Sequence, residues 1–209
     1  PPEALGVILE TAARRGLTVY TPNPAAATLL EEEWGHVRFS YGSTVYTLPL
    51  TGAFQMENAL TALEAVRLLG TLGYPMPAQA CVGGLATAAM PCRQEVVRRS
   101  PLLIMDGAHN PHGVAALRAS LIKHLPGAPI TMVIGMLRDK NTAACAALLA
   151  PLCSRIICCT PDNARAMEAE ALAAQMREHC ARVETVPDPD KALKTALQEA
   201  GQAPVLVAG

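Results

Sequence analysis

The chain has 209 residues, of which 51% are apolar and 17% charged, with a formal net charge of −1 at pH 7. Its length allows one or two domains with a sizeable core. The near-neutral charge and the aromatic content of 3% argue against a nucleic-acid partner, which needs basic surfaces or stacking platforms. No apolar run reaches the ~18 residues of a membrane span, so no membrane partner is expected.

Helical and strand patterns mix in the first ninety residues. Apolar spacing over residues 2–15, with Gly16 as the stop, predicts a helix. A strand is predicted at 17–21 and a short helical stretch from Pro24 to Glu33. The remaining predictions are a β-hairpin with strands at 36–40 and 44–48, and helices at 50–70 and 78–89.

A boundary is predicted at residues 90–93, because strands and helices alternate beyond it. Repeated βα units predict an α/β fold, a Rossmann-like, mostly parallel sheet with helices on both faces. No GxGxxG follows any strand, so the sequence gives no dinucleotide fingerprint. The predicted strands are 94–99, 102–106, 130–136, 155–160, 182–186 and 204–208, and the predicted helices are 111–125, 141–152, 166–180 and 189–200.

Polar residues follow the apolar run at 102–105. Asp106, His109 and Asn110 stand where this predicted strand ends and a helix begins. The carboxyl ends of strands in α/β sheets are ligand-binding positions, and helix N-termini bind anions. The alternative is that Asp106 and Asn110 only cap the helix. Both interpretations fit the sequence.

Two further polar groups are candidates. Asn58 lies early in the helix predicted at 50–70, where an amide either caps the helix or lies on its surface, or else contacts a ligand. Arg138, Asp139 and Lys140 follow the strand at 130–136, on the same predicted sheet edge as Asp106. Their simplest interpretation is a helix entry with a surface ion pair.

The seven cysteines are odd in number and form no CxxC pair. Several lie inside apolar runs, as Cys158 and Cys159 do. This pattern favours reduced, buried thiols over a disulfide framework or a zinc site. We therefore predict no metal ligands in this chain and a reducing, cytoplasmic location.

Four motifs occur in a recognisable order and spacing over residues 45–209. They are Gly52-Ala-Phe-Gln-Met-Glu-Asn-Ala, Pro91-Cys-Arg-Gln-Glu-Val, Asp106-Gly-Ala-His-Asn-Pro and Asp139-Lys. Together they resemble the bifunctional folylpolyglutamate synthase/dihydrofolate synthase family of the Mur ligase superfamily. The resemblance implies that residues 1–90 end a central ATPase domain. Residues 91–209 would form a C-terminal, Rossmann-like glutamate-ligase domain that is truncated at its end.

The resemblance also implies an activity. Members add L-glutamate to folates in an ATP-dependent reaction through an acyl phosphate, releasing ADP and phosphate, and bifunctional members also convert dihydropteroate to dihydrofolate. ATP and Mg²⁺ are the implied cofactors, the partners are small-molecule substrates, and the full-length enzyme would be a monomer.

Residue roles carry over by position in the motifs. Asn58 matches an amide near the adenine of ATP, Arg93 an arginine that reaches the phosphates, and Asp106 an acid that faces the ribose. His109 matches a catalytic histidine associated with the glutamate site. Lys140 matches a lysine of a common Asp-Lys element and is a second catalytic candidate.

Two residues depart from the family pattern. Phe54 stands where the family usually has His, and Cys92 where it usually has Gly, which permits positive φ. A GxxxxGK[ST] loop is missing from the sequence. We therefore expect the phosphate loop, the Mg²⁺ ligands and the folate pocket to lie upstream of Pro1, and residues 1–209 alone to be inactive.

Other functions remain open on the sequence. One is a Mur-type ligase that acts on a cell-wall nucleotide precursor. Another is a non-catalytic module that binds a nucleotide or an amino acid. A Rossmann dehydrogenase is disfavoured by the missing glycine fingerprint.

Overall fold

The computed structural model describes residues 2–209, and Pro1 lies outside the described residues. The N-terminal part, residues 2–86, contains a three-stranded sheet and three helices. Its elements are α1 (Pro2–Arg14), β1 (Ala27–Glu33), β2 (His36–Tyr41), β3 (Thr44–Leu48), α2 (Phe54–Thr71) and α3 (Ala78–Ala86). The predicted hairpin is confirmed as β2 and β3, which pair antiparallel, and β1 extends the sheet antiparallel to β2.

One face of this sheet carries the core of the N-terminal part. Val37 and Phe39 alternate with half-buried neighbours along β2 and are fully buried. They pack in one cluster with Leu60 of α2. This alternation is the period-2 pattern of a strand with one buried face, and it places the start of α2 firmly on the sheet.

Two predictions for this part are wrong. Residues 17–21 pair with no other strand of the described chain, and Leu17 and Tyr20 are exposed, so the segment has no sheet face to bury. The stretch after Pro24 is only one turn of 3₁₀ helix, Pro24–Ala26, before β1 begins. Pairing with β2 overrides the helical pattern, and the Glu31 carboxylate bonds Arg38 directly across the ladder.

The C-terminal part, residues 95–209, is the predicted α/β unit. Its strands are β4 (Glu95–Arg99), β5 (Leu102–Asp106), β6 (Ile130–Ile134), β7 (Cys153–Cys158), β8 (Val183–Thr185) and β9 (Val205–Ala208). Its helices are α4 (Pro111–His124), α5 (Thr142–Leu149), α6 (Ala169–Arg177) and α7 (Pro189–Glu199). The strand order is β4-β5-β9-β6-β7-β8.

Only β4 is antiparallel to its neighbour among the strands of this sheet in residues 2–209. Helices α4, α5 and α6 cover one face in a continuous apolar cluster, and α7 covers the other face against Leu103, Val133 and Val205. The predicted mostly parallel sheet with helices on both faces is therefore confirmed. None of the helices in residues 2–209 is both long enough and apolar enough to cross a bilayer.

Cysteine placement agrees in part with the prediction. All seven thiols are free, and Cys145, Cys158, Cys159 and Cys180 are buried. Burial raises the pKa of Cys158 to about 12, so this thiol stays protonated and unreactive. Cys92, however, is exposed, and Cys81 and Cys153 are only half-buried, so the prediction of burial is wrong for these three.

A buried arginine ties the far edge of this sheet together. The Arg155 side chain on β7 is only 5% exposed. Its Nε and Nη2 donate to the two carboxylate oxygens of Glu184 at 3.0 and 2.7 Å, and its Nη1 lies 2.7 Å from Glu199 Oε2. Because Glu184 lies on β8 and Glu199 ends α7, one guanidinium joins three elements.

We expect Arg155→Met to lower the free energy of unfolding by about 2 kcal/mol, because two carboxylates lose a desolvated partner. The exposed Arg182, which also contacts Glu184 and Glu199, is the matched control, and Arg182→Met should cost less than about 0.5 kcal/mol. Urea unfolding at pH 7 measures both. Equal losses would contradict the role given to Arg155.

The loss in free energy of unfolding caused by Arg155→Met should also depend on pH. The hydrogen bond from Arg155 lowers the pKa of Glu184. The stabilisation from this ion pair is thus fully present above the ordinary pKa of glutamate. It is lost as the pH falls through the lowered pKa of Glu184. The difference between wild type and Arg155→Met should therefore shrink below about pH 4.

Candidate active site

A cleft of about 500 Å³ opens where the two parts of the chain meet. Three segments form its walls: the first turns of α2, the linking loop (residues 87–94) between α3 and β4, and the turn from β5 into α4. Asn58, Arg93, Asp106 and His109 all line it. The structure thus brings together four of the five residues to which the resemblance gives a role, all except Lys140.

Asp106 ends β5 and is 8% exposed. Its Oδ1 accepts from the Ala108 amide at 2.6 Å, and its Oδ2 accepts from the Gln94 amide at 2.9 Å. Burial raises the pKa of Asp106, against the opposing effect of these two hydrogen bonds and of the Arg93 charge. The carboxylate therefore joins the linking loop to the end of β5 rather than capping α4.

The turn after Asp106 positions His109 and begins α4. Asn110 is the N-cap, since its Oδ1 accepts from the Gly113 amide at 2.9 Å. The capping interpretation is thus confirmed for Asn110. His109 is exposed, and its Nδ1 lies 2.8 Å from the Gly107 carbonyl oxygen. Because a carbonyl only accepts, Nδ1 carries the proton of this bond, which leaves Nε2 on the opposite side of the ring facing away from the Gly107 carbonyl.

The linking loop holds Arg93 between two residues in the left-handed region. Cys92 has φ 56° and Gln94 has φ 46°, where a residue other than glycine is strained by about 1–2 kcal/mol. Hydrogen bonds hold this conformation: the Cys92 amide donates to Glu95 Oε2 at 2.9 Å, and the Cys92 carbonyl accepts from the Gly107 amide at 2.7 Å. The position that departs from the family's glycine does adopt the backbone conformation that glycine favours.

Asn58 lies in the second turn of α2, on the rim of the cleft. The N-cap of α2 is Ala53, which makes no side-chain cap, so the capping interpretation of Asn58 is wrong. Its Nδ2 instead donates to Gln55 Oε1 at 2.9 Å. Phe54, which stands where the family usually has His, places its ring over Gly52, where any Cβ would overlap the ring. Phe54 also lines the cleft and forms part of its wall beside Asn58.

Lys140 is not among the residues that line this cleft. It follows β6, whose Ile134 and the Asp106 of β5 both pair in register with Ala208, so the predicted shared sheet edge is confirmed. Its Nζ lies 3.9 Å from the Asp139 carboxylate, which also binds Arg165 at 3.1 Å. The surface ion pair is therefore present, and the catalytic role of Lys140 stays a prediction.

Sequence reasoning missed three buried polar residues around the cleft. Thr51, Gln55 and Gln94 are at most 2% exposed. Gln55 Nε2 and Gln94 Oε1 have no hydrogen-bond partner within residues 2–209. Gln55 and Gln94 lie inside the motifs that begin at Gly52 and Pro91, which gave them no role, and no sequence signal distinguishes Thr51 from a surface threonine.

The donor set of the cleft fits a nucleotide better than a metal ion. An exposed arginine, an amide, a carboxylate and a helix N-terminus suit the phosphates and polar edges of a nucleotide. In contrast, residues 2–209 contain no group of three or more His, Cys, Asp or Glu side chains placed to hold a metal.

Comparison with known proteins defines the class of this α/β unit. Residues 92–209 match the family model described as Mur ligase, glutamate ligase domain. This match covers more than half of the chain, so the chain belongs to that family.

Particular relatives narrow the assignment. The chain is 35% identical over 119 residues to folylpolyglutamate synthase of Lacticaseibacillus casei, covering 54% of this chain and 27% of that protein. It is 34% identical over 168 residues to dihydrofolate synthase/folylpolyglutamate synthase of Escherichia coli, covering 79% and 38%. The crystal structure of Mycobacterium tuberculosis folylpolyglutamate synthase with ADP and AMPPCP superposes with a TM-score of 0.81 and 25% identity, over 99% of this chain and 50% of that chain. The resemblance inferred from the motifs is thus confirmed.

A ligase with a different name also matches. The chain is 28% identical over 184 residues to the UDP-N-acetylmuramoyl-L-alanyl-D-glutamate–2,6-diaminopimelate ligase of Corynebacterium efficiens, covering 81% of this chain and 34% of that protein. The chain spans half or less of each of these relatives.

The strain at Cys92 is open to a direct test. We expect Cys92→Gly to raise the free energy of unfolding by about 0.5–1 kcal/mol, since glycine relieves the positive φ but adds entropy to the unfolded chain. Cys92→Ala, which removes the thiol but keeps the Cβ, is the matched control and should leave stability within about 0.5 kcal/mol of wild type. Chemical denaturation compares the three proteins. If alanine stabilises as much as glycine, the thiol and not the backbone is the source of the strain.

Proposed function

We propose that this chain is part of an ATP-dependent ligase that adds L-glutamate to folates. The observation that carries the proposal is the cleft itself, which gathers Asn58, Arg93, Asp106 and His109 from three separate segments. The similarity to folylpolyglutamate synthases, including one solved with ADP and AMPPCP, supports a nucleotide as one occupant.

Each residue has a chemistry that suits the proposed substrates. The guanidinium of Arg93 offers paired N–H donors for phosphate oxygens. Asp106 keeps acceptor capacity after receiving two backbone N–H groups, because its two oxygens have about four lone-pair positions, and it can accept from ribose hydroxyls. The Asn58 amide, fixed by Gln55, can pair with the edge of the adenine.

His109 is proposed to serve the incoming glutamate. In the acyl-phosphate route, a folate carboxylate oxygen attacks the γ-phosphorus of ATP and ADP leaves. The amine nitrogen of glutamate then attacks the acyl carbon, phosphate leaves and the amine loses a proton. The ring of His109 is oriented by the Gly107 carbonyl, and in the tautomer with the proton on Nδ1 its Nε2 can accept a hydrogen bond or that proton. Positioning of both reactants would supply much of the acceleration.

The remaining proposals concern the whole protein. We propose that residues 1–90 end an ATPase domain and residues 91–209 form the glutamate-ligase domain, and the start of the family match at residue 92 supports this division. The Mg²⁺ ligands, the phosphate loop and the folate pocket would come from other residues. The conversion of dihydropteroate, a monomeric state, a cytoplasmic location and a catalytic Lys140 are further proposals on the same resemblance.

A Mur-type ligase for a cell-wall nucleotide precursor is the second candidate. The similarity to the diaminopimelate ligase over 81% of this chain favours it. The two candidates share the nucleotide cleft and differ in the carboxylate that is activated and in the amino acid that is added, so these two substrates distinguish them.

ADP release by the full-length protein tests the function. We expect release only when ATP, Mg²⁺, glutamate and a reduced folate are all present, none with cell-wall precursors, and none from residues 1–209 alone. Turnover with a cell-wall precursor and diaminopimelate, in place of folate and glutamate, would assign the second candidate. Nucleotide binding without turnover on any carboxylate would favour a non-catalytic module.

Two neighbouring histidines provide a matched pair for the residue roles. His109 and His112 are both exposed and both line the cleft, but only His109 carries the proposed role. We expect His109→Ala to lower kcat/KM for glutamate at least about a hundredfold, and His112→Ala to lower it less than about threefold. Asp106→Ala should abolish release, and Lys140→Ala measured beside it tests the second catalytic candidate. Equal losses in the two histidine variants would contradict the role of His109.

A further inference from the structure

Thr51 lies outside the proposed chemistry but inside the junction between the two parts. It is fully buried, at 0% exposure, three residues before α2 begins. Its Oγ1 accepts from the Gly35 amide at 2.9 Å and donates to the Gln94 carbonyl oxygen at 2.9 Å. One hydroxyl therefore connects the β1–β2 turn of the N-terminal part to the linking loop.

Gln94 continues this connection to the cleft. While its carbonyl accepts from Thr51, its amide donates to Asp106 Oδ2 at 2.9 Å. The residue between these two bonds is held at φ 46°, a conformation that persists only where its surroundings enforce it. Gly35, Thr51, Gln94 and Asp106 thus form a continuous hydrogen-bonded relay.

Other contacts across the junction lie elsewhere. Glu32 binds Lys123 on α4, and the Trp34 carbonyl accepts from Arg99 on β4 at 3.4 Å. Within residues 2–209, Thr51 is the side chain of the N-terminal part that hydrogen-bonds to the linking loop between Cys92 and Gln94. The relay therefore fixes the loop that carries Arg93.

From this geometry we infer that Thr51 is a positioning residue for the nucleotide. It lies on the same segment as Asn58, and through Gln94 it sets where Arg93 and Asp106 stand relative to that amide. The inference rests on the proposed function, because it assigns the relay to the nucleotide that these three residues would share. Thr51 itself does not line the cleft, so its effect passes through the Gln94 backbone.

Thr51→Val and Thr51→Ser in the full-length protein separate positioning from folding. Valine keeps the shape but leaves the Gly35 amide and the Gln94 carbonyl without a partner, while serine keeps the hydroxyl. We expect Thr51→Val to raise KM for ATP about tenfold with kcat within about threefold of wild type, and Thr51→Ser to stay within about twofold in both. A merely structural role would instead reduce the active fraction, lowering kcat at an unchanged KM.

Hydrogen exchange provides a readout that does not need activity. In the ligand-free protein, the amides of Gln94 and Ala108 should exchange about tenfold faster in Thr51→Val than in wild type, and at the wild-type rate in Thr51→Ser. Faster exchange in a protein without folate-ligase turnover would retain the relay and reject the proposed function. Unchanged exchange, or equal effects of valine and serine on exchange and KM, would overturn the inference.

Discussion

The geometry of the cleft depends on one buried carboxylate that accepts two backbone amides from opposite sides. Movement of Asp106 would break the pairing of β5 with β9. Movement of the Ala108 amide or the Gln94 amide would leave a buried carboxylate oxygen without its hydrogen-bond donor. Burial alone would favour the protonated acid, so the two N–H groups and Arg93 are what make the charged form tolerable. The strand end, the linking loop and the α4 turn are thereby fixed to one another by a single side chain.

The rigid sheet on one side of the Asp106 carboxylate explains how the linking loop on its other side keeps a strained backbone conformation. β5 lies between β4 and β9 in the sheet. The next strand after β9 is β6, which is buried along its whole length. Cys92 holds its left-handed conformation through bonds to Glu95 and Gly107, and Gln94 holds its own because its amide is bonded to Asp106 and its carbonyl to Thr51. In a flexible loop the same residues would relax to negative φ, and Arg93 would lose its defined place at the rim.

Sequence pattern was sufficient wherever burial repeats with a regular period. The strands from β5 to β9 and the helices between them are long apolar or amphipathic patterns, and the DGAHNP motif located Asp106, His109 and the Asn110 cap. Prediction from sequence pattern failed at residues 17–21, where Leu17 and Tyr20 are apolar but exposed. It also failed in β1, where pairing with β2 outweighs the local helical preference. Thr51, Gln55 and Gln94 were missed for a related reason, since their importance comes from burial between distant segments, which leaves no local period.

Because the cleft lies between two parts of the chain, contacts on its far side also determine its shape. Burial opposes ionisation of Glu32, yet the hydrogen bond and charge of Lys123, together with His124 beside the carboxylate, outweigh it and lower the pKa of that carboxyl. The Trp34 ring stands 5.3 Å from the His124 ring and packs against the core beneath α4. These contacts anchor the β1–β2 turn, and the Gly35 amide of that same turn binds Thr51. Movement of the turn relative to α4 would thus be transmitted through Thr51 to Gln94 and Asp106. The contacts of Glu32 and Trp34 and the relay beside the cleft therefore constrain the same motion, that of the N-terminal part relative to α4.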